Sequence, residues 1–218
     1  MLHIASDTQP GYGENQDAMV VLRHPRDPRL LLAAVADGQG GQPGGKAAAH
    51  QACQAIVQAA SKCWPGTLLW ARSWKRLLAQ TDRALRADAD AGFTTLVAFA
   101  IMRGRLCGVA CGDSALLAVT RRDVRVLTEG QMKNPPLGSG QAQAFTFKFA
   151  LPPPWTILTM TDGAWKFAGW NQVWEYALET SDPEAMIEGI RCAALQPGGS
   201  LQDDFTLLVV QEDGKPQP

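Results

Sequence analysis

The sequence predicts an α+β domain of layered, mainly antiparallel sheets. Three observations predict it: short apolar runs of strand length on both sides of a helical pair, the helical pair itself, and turn residues rather than βαβ alternation between the later runs. AMVVL at 18–22 and LLLAAVA at 30–36 flank the turn-rich HPRDPR, so they form a hairpin or neighbouring strands. After the glycine-rich stretch 38–45 comes KAAAHQACQAIVQAASKCW, alanine-rich with apolar residues at helical spacing. A second helical segment runs from about Leu68 to Ala91, separated from the first by Pro65 and Gly66. From Thr94 the pattern returns to strands: TTLVAFAIM, RLCGVACG, SALLAVT and VRVLT, which read as an antiparallel meander. FTFKFAL and WTILTMT continue the sheet signal, 183–195 reads as a helix after Asp182 and Pro183, and FTLLVVQ closes with a last strand.

A chain of 218 residues, 46% of them apolar, can bury one sizeable core, so a single domain over 1–218 is expected, with a disordered tail at 212–218. The formal net charge is −1 and charges read as spread along the chain, which leaves no basic patch to attract nucleic acid or an anionic membrane; neither is expected as a partner. MLHIASDTQP lacks a basic segment followed by an apolar stretch, and no apolar run approaches the roughly 20 residues that span a bilayer. Cys53, Cys63, Cys107, Cys111 and Cys192 form an odd set with no C-x-x-C pair, which argues against a disulfide framework or a zinc site and for a reducing cytoplasm. Cys107 and Cys111 share a strand face and are expected in the core. His3, His24 and His50 are scattered and are expected to be structural or at the surface. Trp64, Trp70, Trp74, Trp165, Trp170 and Trp174 are expected to pack rather than form a recognition surface.

Five aspartates stand where predicted strands meet turns: Asp17 in ENQDA, Asp37 in VADGQGG, Asp113 in ACGDSA, Asp162 in MTDGAW and Asp203 in QDDFTLLVV. Three are followed by a small residue that lets backbone come close, namely Gly38, Ser114 and Gly163. Asp-Gly alone is an ordinary turn signal. Its recurrence beside apolar strands points further, because carboxylates gathered at strand ends repel unless cations are present. All-oxygen ligation selects hard ions such as Mg²⁺ or Mn²⁺.

ENQDA, LLLAAVADGQGGQPGGKAAA, GFTTLVA, LCGVACGDSALLAV, TILTMTDGAW and QDDFTLLVV, in this order, resemble the metal-dependent protein phosphatases of the protein phosphatase 2C type, from about residue 5 to residue 210. The resemblance implies a four-layer α/β/β/α sandwich of two mainly antiparallel sheets flanked by helices. It implies an enzyme that hydrolyses phosphoserine and phosphothreonine on proteins by attack of a water bridging two Mn²⁺ or Mg²⁺ ions, with a cognate serine/threonine kinase as counterpart. By the same resemblance Asp37 bridges the ions, the Gly38 carbonyl and Asp17 serve one of them, and Asp162 and Asp203 serve the other. Asp113 and Asp162 would share a weaker third position. Catalysis would then rest on Asp37, Asp162 and Asp203 through the metal-bound water.

The chain departs from the family pattern in three places. Tyr12 stands where relatives usually carry a phosphate-clamping arginine, leaving Lys46 and Lys166 as possible substitutes. Gln39 replaces the histidine of many eukaryotic relatives and cannot act as a general acid. Only a few residues separate VRVLTEG from NPPLGSG, so the flap beside the active site is shortened. These departures motivate one rival, a pseudophosphatase that binds a phosphoprotein or kinase. A second rival is a nucleotide-binding P-loop at GGQPGGK, 40–46, against which Ala47 stands where that loop needs a hydroxyl.

Overall fold

The computed structural model describes residues 2–40 and 43–213. The tail expected to be disordered lies almost wholly outside these residues, as do Gly41 and Gln42 of the glycine-rich stretch. The chain gathers into two compact units, one of Gln16–Ser114 and Thr128–Ala150, the other of Met1–Asn15, Ala115–Leu127 and Leu151–Pro218. Each carries one five-stranded antiparallel sheet and its own helices.

In the first unit the sheet order is β2 (Asp17–His24), β3 (Asp27–Asp37), β4 (Leu96–Met102), β5 (Arg105–Cys111) and β8 (Phe145–Ala150). The predicted hairpin is β2–β3, and its register sets Asp17 opposite Asp37. Helix α1 (Gly45–Lys62), a 3-10 turn at Pro65–Leu69 and α2 (Ala71–Ala87) complete the unit. Leu30, Leu32, Ala34 and Ala36 alternate along β3 and share a core with Ala48, Ala52 and Ile56 of α1 and Trp74 and Leu78 of α2. Small alanines let α1 lie close to the sheet, and Cys107 and Cys111 fill the same core, as their spacing predicted. The second helix is shorter than expected because Trp70 is extended (φ −117°) and ends the 3-10 turn before α2 begins.

In the second unit the order is β1 (Leu2–Gln9), β10 (Phe205–Glu212), β9 (Trp155–Met160), β6 (Ala115–Thr120) and β7 (Val124–Val126), with helices α3 (Asp162–Ala168), α4 (Trp170–Glu179) and α5 (Pro183–Ala194). Leu158, Met160, Phe205 and Leu207 meet Met186 and Ile190 of α5 in its core. α5 starts as its sequence predicted: Asp182 caps it by accepting the Ala185 N–H at 2.9 Å, and Pro183 occupies the first turn.

The strand order and the tryptophans differ from what the sequence predicts. The meander breaks after β5: β6 pairs with β7 and β9, while β8 takes the edge of β5. Gly112 (φ 108°) turns the chain between β5 and β6, and apolar strand pattern alone does not say which sheet a strand joins. The tryptophans also divide. Trp74 is buried and donates its indole N–H to the Leu68 carbonyl at 2.7 Å, and Trp165 stacks on Trp170 at 5.4 Å. Trp64, Trp70 and Trp174 are exposed, because they sit at element ends or on outward helix faces. Of the histidines, His24 is buried against the Cys63 carbonyl, and His3 pairs with Asp213 at the surface. The P-loop reading fails on the sheet: β3, which leads into the glycine loop, is antiparallel to both neighbours. No helix among the described residues is long and apolar enough to cross a membrane.

Candidate metal centre

In the first unit the site residues follow from strand register. Asp17 opens β2 and is buried; Asp37 closes β3 directly across from it. The backbone of Asp37 is fixed by the two threonines of GFTTLVA. Its N–H donates to Thr95 Oγ1 at 2.9 Å, and its carbonyl accepts from Thr94 Oγ1 at 2.8 Å and from the Thr95 N–H at 2.9 Å. Thr95 Oγ1 in turn shares a 2.6 Å hydrogen bond with Ser114 Oγ, which ties the Asp37 backbone to the G-D-S turn. Sequence reasoning did not single out these threonines, since their partners lie 57 and 58 residues away along the chain.

Gly38 continues from Asp37 with its N–H donating to the Gln16 carbonyl at 3.2 Å. A methyl group there would collide with the carbonyls of Gly45 and Gln16, so the position needs glycine for close approach. Asp113 lies beyond β5, ion-paired with Lys133, and Gln131 donates its side-chain N–H to the Ser114 carbonyl at 2.6 Å. The shortened segment after it is held by a carboxylate that sequence reasoning missed. Asp82 of α2 is buried and accepts the backbone N–H groups of Gly138, Gly140 and Ala142 at 2.7, 3.1 and 3.3 Å. Lys46 is exposed in the first turn of α1.

In the second unit Asp162 is the first residue of α3, separated from β9 by Thr161 alone, and is buried. Its Oδ2 accepts from Lys166 Nζ at 3.2 Å, one helical turn on. Asp203 lies just before β10, and two glycines bring it and its neighbour in. Gly163 rests its Cα against the Asp204 carbonyl, and Gly11 rests against the backbone of Asp203, each where a methyl group would not fit. Gly11 also donates its N–H to Asp204 Oδ1 at 2.8 Å, so the second carboxylate of the Asp-Asp pair serves the chain itself. Although Asp203 is reached by solvent, its carboxyl is pushed above the usual range, first by partial desolvation and then by the charges of Asp162 and Asp204. The Asp204 N–H and Lys166 act in the opposite direction. Tyr12, next to Gly11, is 96% exposed.

The structure thus brings Asp17 to Asp37, and Asp162 to Asp203. Among the described residues no three or more His, Cys, Asp or Glu side chains gather around one point as the ligands of an ion would; the carboxylates stand in pairs. In each unit the donor chemistry fits hard divalent cations: two carboxylates, with the adjacent Gly38 carbonyl in the first, and no sulfur or imidazole among these donors. At Asp203, partial desolvation and then the charges of Asp162 and Asp204 press the carboxyl upward, a pressure that a nearby cation would relieve.

Residues 27–213 match the family of Stage II sporulation protein E (SpoIIE). No curated protein matches the sequence. Among solved structures, a bacterial serine phosphatase is similar with a TM-score of 0.81 at 14% identity, each chain covering 100% of the other. The serine/threonine phosphatase Stp1 from Staphylococcus aureus is similar with a TM-score of 0.79 at 15% identity, covering 98% of this chain and 96% of that one. The catalytic domain of the serine threonine protein phosphatase PstP, in complex with two manganese ions, has a TM-score of 0.73 at 20% identity, covering 96% of this chain and 97% of that one. These likenesses show the fold, an α+β arrangement of two antiparallel sheets with helices, as the sequence predicted. With 27–213 matched, the chain belongs to the SpoIIE family, a phosphatase 2C-like family.

Proposed function

We propose that this chain is a metal-dependent phosphatase acting on phosphoserine and phosphothreonine in proteins. The observation that carries the reading is the in-register pair Asp17 and Asp37, with the Asp37 backbone clamped by Thr94 and Thr95. Family membership and the manganese-bound PstP neighbour support it. Asp37 would bridge two ions, the Gly38 carbonyl and Asp17 would serve one, Asp162 and Asp203 the other, and Asp113 with Asp162 a weaker third. Two Mn²⁺ or Mg²⁺ ions, when bound, supply Lewis acidity that activates water for in-line attack on phosphorus.

The chain's own residues do the rest. The hydrogen bonds on Asp37 fix where its carboxylate can reach, which limits the reorganisation needed when charge develops on the phosphoryl group. Lys166 brings a cation to Asp162, and it and Lys46 are the candidates for the phosphate-binding role that Tyr12 cannot fill with a guanidinium. The reading takes residues 1–218 as one catalytic domain. It also implies a phosphoprotein substrate and a cognate kinase, and cytoplasmic residence fits the five free thiols.

The test is hydrolysis of p-nitrophenyl phosphate and of a phosphothreonine peptide with EDTA, Mg²⁺ or Mn²⁺, with Asp37→Asn as control. The reading expects metal-dependent turnover that is lost in the variant. The exposed phenol at Tyr12 favours a second reading, a pseudophosphatase. A folded protein that binds Mn²⁺ by calorimetry yet turns over neither substrate would establish that one instead.

A further inference from the structure

The expectation of evenly spread charge does not survive the fold. Segment 45–87, the helical part of the first unit, holds seven of the chain's 20 Lys and Arg but only one of its 21 Asp and Glu. That single acid is Asp82, which is buried on the loop N–H groups. Net charge over the whole chain hides this strongly basic helical layer.

Within the layer, α1 and α2 leave a groove of about 860 Å³ between them. Its floor is apolar, with Ala59 and Leu77, and its rim carries Lys62, Arg72 and Arg76; no acidic side chain lines it. Trp70, 48% exposed, stands at one side with the Arg72 guanidinium stacked 4.5 Å from its ring centroid. The stack holds Arg72 in place and covers one face of the indole.

We propose that this groove docks an acidic peptide segment of a partner protein, with an apolar side chain on the floor and flanking carboxylates on Lys62, Arg72 and Arg76. The occupant follows from charge and shape. A rim of cations without a counter-charge selects an anion. A recessed apolar floor takes a projecting side chain, whereas a membrane surface meets protruding apolar groups. The volume falls in the range of sites that enclose a few side chains. This docking is independent of the metal-site carboxylates and of any turnover.

The probe is a short fluorescein-labelled peptide alternating glutamate and leucine, followed by anisotropy with the full-length protein. A glutamine-for-glutamate peptide and phosphatidylserine vesicles serve as the other arms. The glutamate peptide should bind saturably and about tenfold or more tighter than its neutral counterpart. The double variant K62E/R76E should weaken it about tenfold or more, while K75E/R83E, with the same charge change at exposed positions outside the groove, should change it less than about twofold. Circular dichroism checks that both variants fold, and Arg72→Gln, which keeps a long side chain on the helix, supplies a milder third case with an intermediate loss. Equal weakening in the two double variants would reduce the effect to bulk charge and overturn the proposal. So would binding to the vesicles without binding to the peptide, or no binding at all.

Discussion

The two pairs of candidate metal-site carboxylates are held by different means. Asp17 and Asp37 face each other because β2 and β3 pair in register, and every step of that ladder helps fix their positions. Asp162 and Asp203 lie in a helix start and a loop, and what places them is close backbone packing at Gly163 and Gly11. One pair depends chiefly on strand register, with Gly38 as a close approach beside it, and the other wholly on missing side chains. It follows that, Gly38 apart, the first pair should tolerate changes beside it better than the second, and that stability and activity should separate differently at the two places.

The largest effect is expected for Asp37→Asn and Asp162→Asn. Each should lower Mn²⁺-dependent hydrolysis of p-nitrophenyl phosphate by about 10²–10³-fold or more while the thermal midpoint in EDTA stays near wild type. A drop in midpoint to match the lost activity would make these residues structural. Asp82→Ala supplies the opposite case, a carboxylate whose work is all structural. It leaves three loop N–H groups without their acceptor and should cost about 3 kcal/mol in urea unfolding, without changing which metal supports turnover. Gly163→Ala should cost about 2 kcal/mol, since its methyl group must displace the Asp204 carbonyl, and it should lower activity as well because Asp203 moves with it. Loss of stability with full activity would show that the close packing does not place the carboxylate.

The smallest effect is a pH dependence. Because the folded-state carboxyl of Asp203 titrates above its ordinary value, its contribution to stability is fully present below the unfolded pKa and is lost as pH rises through the folded one. In EDTA, wild type should therefore lose a little stability across the weakly acidic range, and Asp203→Asn should flatten that slope. Thermal melts at stepped pH test it, and a slope unchanged in the variant would assign the loss to another group.

The same contrast explains what was legible in the sequence. Asp37 ends an apolar strand, Asp162 follows one, and both precede glycine, so both could be read, and the β2–β3 hairpin followed from its turn residues. β1 could not be read: most of its side chains are exposed or partly exposed, so it lacks apolar alternation, and it is a strand only because β10 pairs along its whole length. α3 begins at an Asp-Gly that local chemistry reads as a turn, and Gly169 splits the helical pattern after it. Thr94, Thr95, Gly11 and Asp82 matter through partners far along the chain, which no local window contains. The basic groove was written in composition, but only per segment.

The place of β10 in its sheet also sets an order of events during synthesis. It lies between β1 and β9, so the strand made first has no neighbour until the strand made last arrives. Strands β2 to β5 and the helices α1 and α2, by contrast, are contiguous from Asp17 to Cys111 and can pair as they emerge. A nascent chain would thus carry one partly assembled sheet and a waiting first strand, exposed to wrong partners for the whole interval. Cutting the chain before Phe205 would leave β1 permanently stranded, however intact the rest.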